Sequence, residues 1–369
     1  MHPILNRYVP ISGTYPHTYF AGANTAQGFV SAYPRFVREE DSFRVFYIKG
    51  GSGTGKSSLM KQCARAAAQV GAEITLLLCS SDPTSADGVI LEGENGRRIV
   101  ILDATAPHTA DPALPGAGGE IVDAGAGWDA SRLGAHRQEI GIARREKEQA
   151  YGRAYRYLSA YRSVVDGVST LLSECVLHDK LRAAAARLVG DFRAGRRFGE
   201  EIRYTHALSM HGAYRLNTFS ALAERRCAIV DVYGTGEFFL EALRDQAMDR
   251  RLTVHTSLVP ACPNRLQELY FPESGAYFYL VSDKESGSDA ARLIHMRRFI
   301  DPSGLAARRG KIRFAEKCGE MLFDGAIQSL QEAGKQHFAL EEIYKEAMDF
   351  GVVQRKTDAL SDYIRNALQ

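Results

Sequence analysis

Residues 46–62, FYIKGGSGTGKSSLMKQ, carry an apolar run into a glycine-rich turn and then into a stretch with helical spacing. Within it, Gly50-x-x-x-x-Gly55-Lys56-Ser57 is a complete Walker A sequence in the expected strand-to-helix setting. Glycines let backbone amides curl around phosphate oxygens, and the helix that follows turns its positive end toward them. The expected phosphate-binding segment is therefore Gly50, Gly51, Ser52, Gly53, Thr54, Gly55, Lys56, Ser57 and Ser58. Lys56 has the reach for the β- and γ-phosphates, and the Ser57 hydroxyl is of the type that ligates Mg²⁺.

Downstream, a second strand is expected at Ile74–Cys79, then a polar turn SSDPTSADG, then a third strand over Arg97–Asp103. The third strand, RRIVILD, delivers Asp103 at its carboxyl end, where it suits a Mg²⁺ site beside Ser57. The segment ATAPHTADP follows and offers Thr105 and His108 to a γ-phosphate or an acceptor, although His108 serves equally well as a loop cap. Asp82 and Asp87, placed in the turn after the second strand, are further candidates for metal or water contacts, or are simply solvated turn residues. Ala104 stands directly after Asp103, so the strand-end glutamate of many hydrolases is absent. Turnover would then be slow, rely on Asp82, Asp87 or His108, or need a second subunit.

The same order recurs after about residue 203. AIVDVYGTGEFFLEAL can be laid on VFYIKGGSGTGKSSLM, with Gly53 opposite Gly234 and Gly55 opposite Gly236. IVILDA meets FYLVSD one residue out of step, TYFAGANTAQGF faces RYTHALSMHGAY, and WDASRLGAHRQEI faces IDPSGLAARRGKI. The expected fold class is α/β, with duplicated P-loop NTPase-like sheet domains and terminal helical elements. The division falls in the glycine-bearing, polar GDFRAGRRFGEE, giving an active P-loop domain over 1–195 and a degenerate one with C-terminal helices over 196–369. In the second frame Glu237 replaces Lys56 and Phe238 replaces Ser57, so a carboxylate stands where phosphate would need a cation. Arg265, His211 and Arg215 are candidates to reach the first site from the second half.

Each half ends in helices, expected at Arg137–Ser163 and Ser169–Leu188, then at Arg309–Ala333 and Leu340–Phe350. Tyr151, Tyr155 and Tyr161 suit packing within a helix pair. The chain of 369 residues is 45% hydrophobic and 24% charged, with a net charge of +2 and no long basic tail, which argues against a nucleic-acid partner. Six cysteines contain no C-x-x-C pair, and no run of 18 apolar residues suggests a transmembrane segment, so a reducing cytoplasm is expected.

Taken together, FAGANTAQGF, GGSGTGKSS, CSSDPTSADGV and DATAPH resemble a bacterial P-loop ATPase family with tandem P-loop-like halves, the second degenerate. The resemblance covers almost the whole chain. It implies ATP binding at an intact first site, with Gly50, Gly55, Lys56 and Ser57 on the phosphates and Asp103 at the metal-associated position. ATAPH carries Ala104 where related sequences are expected to carry glycine.

The leading expectation is an Mg²⁺-dependent ATPase or nucleotide-driven conformational switch. The alternatives are a small-molecule kinase that transfers the γ-phosphate, with its acceptor near Asp82, Asp87 or His108, and a non-catalytic interaction protein stabilised by nucleotide. The expected partners are nucleotide, a protein partner not identified by the sequence, and either an intramolecular pseudo-dimer or a homodimer.

Overall fold

β-Branched and aromatic residues with no polar interruption make VFYI a strand covered on both faces, and the six-residue strand Arg44–Lys49 is buried at all four of those positions. Around it the computed structural model describes residues 5–195, 198–282 and 290–369. The expected division at residue 195/196 and the last residue of the FYLVSD match, Asp283, touch positions outside those residues.

In chain order the first half contains β1 (Tyr8–Ile11), β2 (His17–Phe20), the hairpin β3 (Gly22–Thr25) and β4 (Gly28–Ser31), and the short α1 (Tyr33–Phe36). It continues through β5 (Arg44–Lys49), α2 (Lys56–Ala68), β6 (Glu73–Leu78), β7 (Ala86–Glu92), β8 (Arg98–Asp103) and β9 (Gly119–Asp123). Helices α3 (Ala130–Ala135), α4 (Arg137–Ser173) and α5 (His178–Leu188) complete it. The second half contains β10 (Gly199–Ile202), the hairpin β11 (His206–Ser209) and β12 (Gly212–Leu216), α6 (Thr218–Leu222), β13 (Arg225–Asp231) and α7 (Gly236–Asp249). Then come β14 (Thr253–Val259), β15 (Cys262–Phe271), β16 (Ala276–Ser282), β17 (Arg292–His295), α8 (Pro302–Glu346) and α9 (Phe350–Leu368).

The architecture is mixed α/β. One six-stranded sheet has the order β2-β6-β7-β8-β5-β9, the other β10-β14-β15-β16-β13-β17. In each sheet the third strand, β7 or β15, runs antiparallel to both neighbours, and the other pairs are parallel. Strand β7 falls where a turn was expected. The Asp-Gly opening of ADGVILE, the end of the expected turn SSDPTSADG, reads as a turn, but its apolar run pairs with β6 on one side and β8 on the other. Gly28 and Gly212 each begin the second strand of a hairpin, with φ of 105° and 129°. The two hairpins thus correspond one residue out of the register in which TYFAGANTAQGF faces RYTHALSMHGAY.

The helices cross between the halves. α4 and α8 run antiparallel as a pair, as the contacts Arg153–Glu332, Tyr161–Phe323 and Glu174–Arg308 require. At 37 and 45 residues they are about 55 and 68 Å long. Ala154, Leu158, Tyr161, Val165, Val168 and Leu172 form a seam on α4 with alternating four- and three-residue steps. It packs on Ile312, Phe323, Ala326 and Leu330 of α8 in a core of its own. Beyond α4, α5 packs on α7; beyond α8, α9 packs on α2. Each half therefore lays its last helix on the other half's sheet layer. Isolated bridges Trp128–Met348 and Val176–Ile300 mark the two crossings, and one sequence separation relates Trp128 to Ile300 and Val176 to Met348.

Candidate functional site

The turn between β5 and α2 takes its shape from two glycines in the left-handed region, Gly53 at φ 74° and Gly55 at φ 83°. Only glycine adopts that backbone without strain. Thr54 is buried under the turn and donates to the Gly51 carbonyl at 3.0 Å. Gly55 caps α2 without a side-chain hydrogen bond, and the first amides of any helix lack a carbonyl one turn back. Lys56 folds back over the turn, where its ammonium donates to the carbonyls of Gly50 at 2.8 Å and Gly51 at 2.6 Å and lies 3.6 Å from Asp103. The Ser57 hydroxyl accepts from the amide of Ala86 at 2.9 Å, tying α2 to the start of β7. Ser58 is exposed.

Asp103 ends β8 beside β5, so strand pairing sets the Lys56–Asp103 distance. Its carboxylate accepts from the Thr105 amide at 2.9 Å. Burial raises its pKa above the ordinary carboxylate range, against the opposing pull of Lys56. The Thr105 hydroxyl donates to the Gly50 carbonyl at 2.7 Å, and Lys49 donates to the carbonyls of Ala104 and Ala110, which pins the ATAPH segment to the turn.

His108 and Asp87 face each other rather than solvent. His108 is 5% and Asp87 6% exposed, and the imidazole Nε2 lies 3.1 Å from the Asp87 carboxylate. Nδ1 meets the Ser31 hydroxyl at 3.1 Å, and Tyr33 stacks on the ring at 4.4 Å. Tyr33 also donates to the Asp87 carbonyl at 2.7 Å and to the Asp103 carbonyl at 3.0 Å. This buried network holds the strand ends of β7 and β8 together. Asp82 sits outside it, accepting from the amide and hydroxyl of Thr84.

The second half reaches this site directly. His211, from the β11–β12 turn, lies 3.5 Å from Asp82 and packs on Phe338 of α8. A Cβ added to Gly53 would lie 2.8 Å from the Glu341 carbonyl and 3.2 Å from Cγ of Lys345, so the end of α8 rests on the turn. His337, one turn earlier, is held neutral by burial, its pKa lowered to about 4, with Lys147 and Lys56 adding to the effect. Sequence reading singled out His211 but neither His337 nor Glu341, because only the antiparallel pairing of α4 with α8 brings the end of α8 here.

The matching turn of the second half is filled by its own chain. Asp231 accepts from the amides of Gly234 at 2.7 Å and Gly236 at 2.5 Å. Glu237 is buried, accepts from the Leu266 amide and pairs with the equally buried Arg265. Burial pushes the Glu237 carboxyl up to about 7 against the pull of that guanidinium. Arg265 is thus engaged within its own half rather than at the first turn.

Among the described residues no group of three or more His, Cys, Asp or Glu side chains suits a metal ion. Ser57 and Asp103 supply only a hydroxyl and one carboxylate. This donor set fits a Mg²⁺ carried in by phosphates rather than a resident ion. Among the described residues no helix is long and apolar enough to cross a membrane. Comparison with protein-family models, curated proteins and solved structures finds no match.

Proposed function

We propose that this is an ATP-binding P-loop protein with duplicated halves, the first active and the second degenerate, working as a slow Mg²⁺-dependent ATPase whose nucleotide state moves the α4–α8 pair. The contrast between the two turns carries this reading. Where Asp231 sits in the second half, the first has Gly50, and Lys56 lies within reach of Asp103. A carboxylate within one turn and a lysine at the other are what a self-filled and a phosphate-accepting turn need respectively. The identical strand order and the crossed helices support duplication and an intramolecular pseudo-dimer.

In this reading Gly50–Ser58 bind the phosphates, Lys56 stabilises charge on the β- and γ-phosphates, and Ser57 and Asp103 hold the Mg²⁺. The ion would neutralise phosphate charge. Asp87 and His108 act as positioning groups, because their buried pairing fixes the strand ends that present Asp103. The helix contact at Gly53 supports the switch: a shift at the turn displaces Glu341 and is carried along α8 to its start at the second half. The kinase reading is weaker, since Asp87 and His108, two of the three groups expected at its acceptor, are buried against each other. Six free cysteines suit a reducing cytoplasm.

The test is Mg²⁺-dependent nucleotide binding and turnover, with product identification, for the native chain and Lys56→Ala. Binding lost in the variant, with ADP and phosphate released by the native chain, supports the proposal. Equal binding by both refutes it.

A further inference from the structure

We infer that the cavity of about 410 Å³ beside the paired segments Ala126–Asp129 and Glu346–Asp349, the latter being the link from α8 to α9, receives a purine base, with the Trp128 ring as its platform. The inference rests on the first turn being the phosphate site. It extends that reading to the place where the base of the nucleotide lies and to the residue that holds it.

The direction of a bound nucleotide follows from strand order. Asp103, on β8, and Lys56 mark the terminal-phosphate side of the turn, and β9 flanks β5 on the opposite edge. The nucleoside end therefore points toward the carboxyl end of β9. That strand ends at Asp123, whose carboxylate accepts from the Gly125 amide at 2.8 Å and shapes the one-turn helix Ala124–Gly127 leading to Trp128.

Trp128 is the sole tryptophan of the chain and is 36% exposed. Its ring reaches back to the phosphate turn, since a Cβ on Gly51 would lie 3.2 Å from its Cζ2. Phosphate turn and indole thus lie side by side, the ring is packed as well by Gly125 and Tyr344, and Trp128 also lines the cavity. Glu346 to Asp349 complete the lining, paired to the same segment by the Trp128–Met348 bridge and held by Arg132 donating to the Glu346 carbonyl at 2.7 Å. The volume falls in the range of small-ligand sites. A purine matches the indole in shape and stacks on it over the largest area. A larger cleft of about 530 Å³, lined by Gln62, Arg65, Asp362 and Arg365, lies along the later turns of α2 and has no such contact with the phosphate turn.

A base in this cavity would touch both halves at once: Trp128 belongs to the first, and Glu346–Asp349 joins the helices of the second. Nucleoside binding would thereby stiffen the crossing where α8 turns into α9.

The test compares MgATP with Mg-tripolyphosphate, which has the phosphates and no base, by calorimetry and by the fluorescence of Trp128. The expected result is binding of MgATP at least about tenfold tighter than Mg-tripolyphosphate, with the larger fluorescence change from MgATP. Trp128→Leu should remove that advantage while leaving tripolyphosphate affinity unchanged, and Trp128→Phe should recover part of it. If Trp128→Leu weakens both ligands equally, the ring merely supports the turn; if it weakens neither, the base lies elsewhere. Either result overturns the inference and leaves the phosphate site standing. If the native chain binds neither ligand, the phosphate-site reading falls and takes the inference with it.

Discussion

The carboxylate of Asp231 accepts a 2.5 Å hydrogen bond from the backbone amide of Gly236, at the place where the other half of the chain has a turn opened by Gly50. One turn thus carries its own anion. The left-handed glycine that shapes it, Gly234 at φ 90°, persists beside that anion. The two turns differ in shape: Gly234 shares the left-handed conformation of Gly53, but Gly236, unlike Gly55, lies outside that region, and the second left-handed residue is Tyr233 at φ 58°. Gly236 is required by space instead, since an added Cβ would lie 2.9 Å from the Asp231 carboxylate.

Removing that anion should therefore act on stability alone. Asp231→Ala leaves two buried amides unpaired, each costing about 1–3 kcal/mol, so urea unfolding should show a loss of about 2–6 kcal/mol. Nucleotide affinity at the first turn should change less than about twofold, as calorimetry would report, because sites without shared contacts behave additively. A loss under about 0.5 kcal/mol would mean that the carboxylate does not hold this turn.

Gly53 and Gly96 separate backbone strain from contact with α8. Both have φ near 75°, but a Cβ on Gly96 meets nothing within 4 Å, whereas one on Gly53 meets the Glu341 carbonyl at 2.8 Å. Gly96→Ala should cost about 1–2 kcal/mol, the strain of an L-residue in the left-handed region. Gly53→Ala should cost at least about 1 kcal/mol more, because backbone cannot swing aside as a side-chain tip can. Thermal unfolding of the two variants side by side measures the difference. Equal losses would show that the end of α8 yields freely.

The sequence made some of this legible and hid the rest for physical reasons. The Walker A turn is local: glycine spacing and the flanking apolar run write it directly into residues 46–62. Asp103 was readable for the same reason, as a carboxylate at the end of an apolar strand. Strand β7 escaped because Asp87 and Gly88 carry turn chemistry while their strand role comes from pairing on both sides. The mutual burial of His108 and Asp87 was hidden too, since it depends on Tyr33 and Ser31 from a distant segment. The crossing of α5 and α9 is a tertiary choice, and nothing in helical periodicity states which sheet a helix will cover. Helix ends were misjudged where α4 and α8 continue through expected gaps, because the seam between them keeps packing there.

The Glu237–Arg265 pair is a buried charge pair joining the start of α7 to β15, and its two halves should not be separable. Arg265→Met strands a buried carboxylate and should cost about 3–5 kcal/mol. Glu237→Gln combined with Arg265→Met keeps an acceptor for the Leu266 amide and removes both charges, so it should regain most of the loss. A double-mutant cycle by chemical denaturation measures this coupling. Additive losses would place the two charges in independent environments.

His337 supplies a stability change with a defined sign. Burial, with Lys147 and Lys56 as further repelling charges and Asp82 and Asp87 opposing them, lowers its pKa from 6.5 to about 4. Between those values the unfolded chain binds the proton and the folded one does not, so stability rises with pH across the window. The contribution is complete above about pH 6.5 and is lost progressively as pH falls toward 4. His337→Gln removes the titration while keeping a side chain of comparable reach, so its stability should fall less than the native protein's over the same range. Thermal melts of both proteins from pH 7 to pH 4 give the comparison as a difference, which cancels the many carboxylates they share as well as His206, another buried histidine with a lowered pKa. If the two melting profiles stay parallel across that range, His337 takes up its proton as easily in the folded chain as in the unfolded one, and its desolvation in the folded chain is wrong.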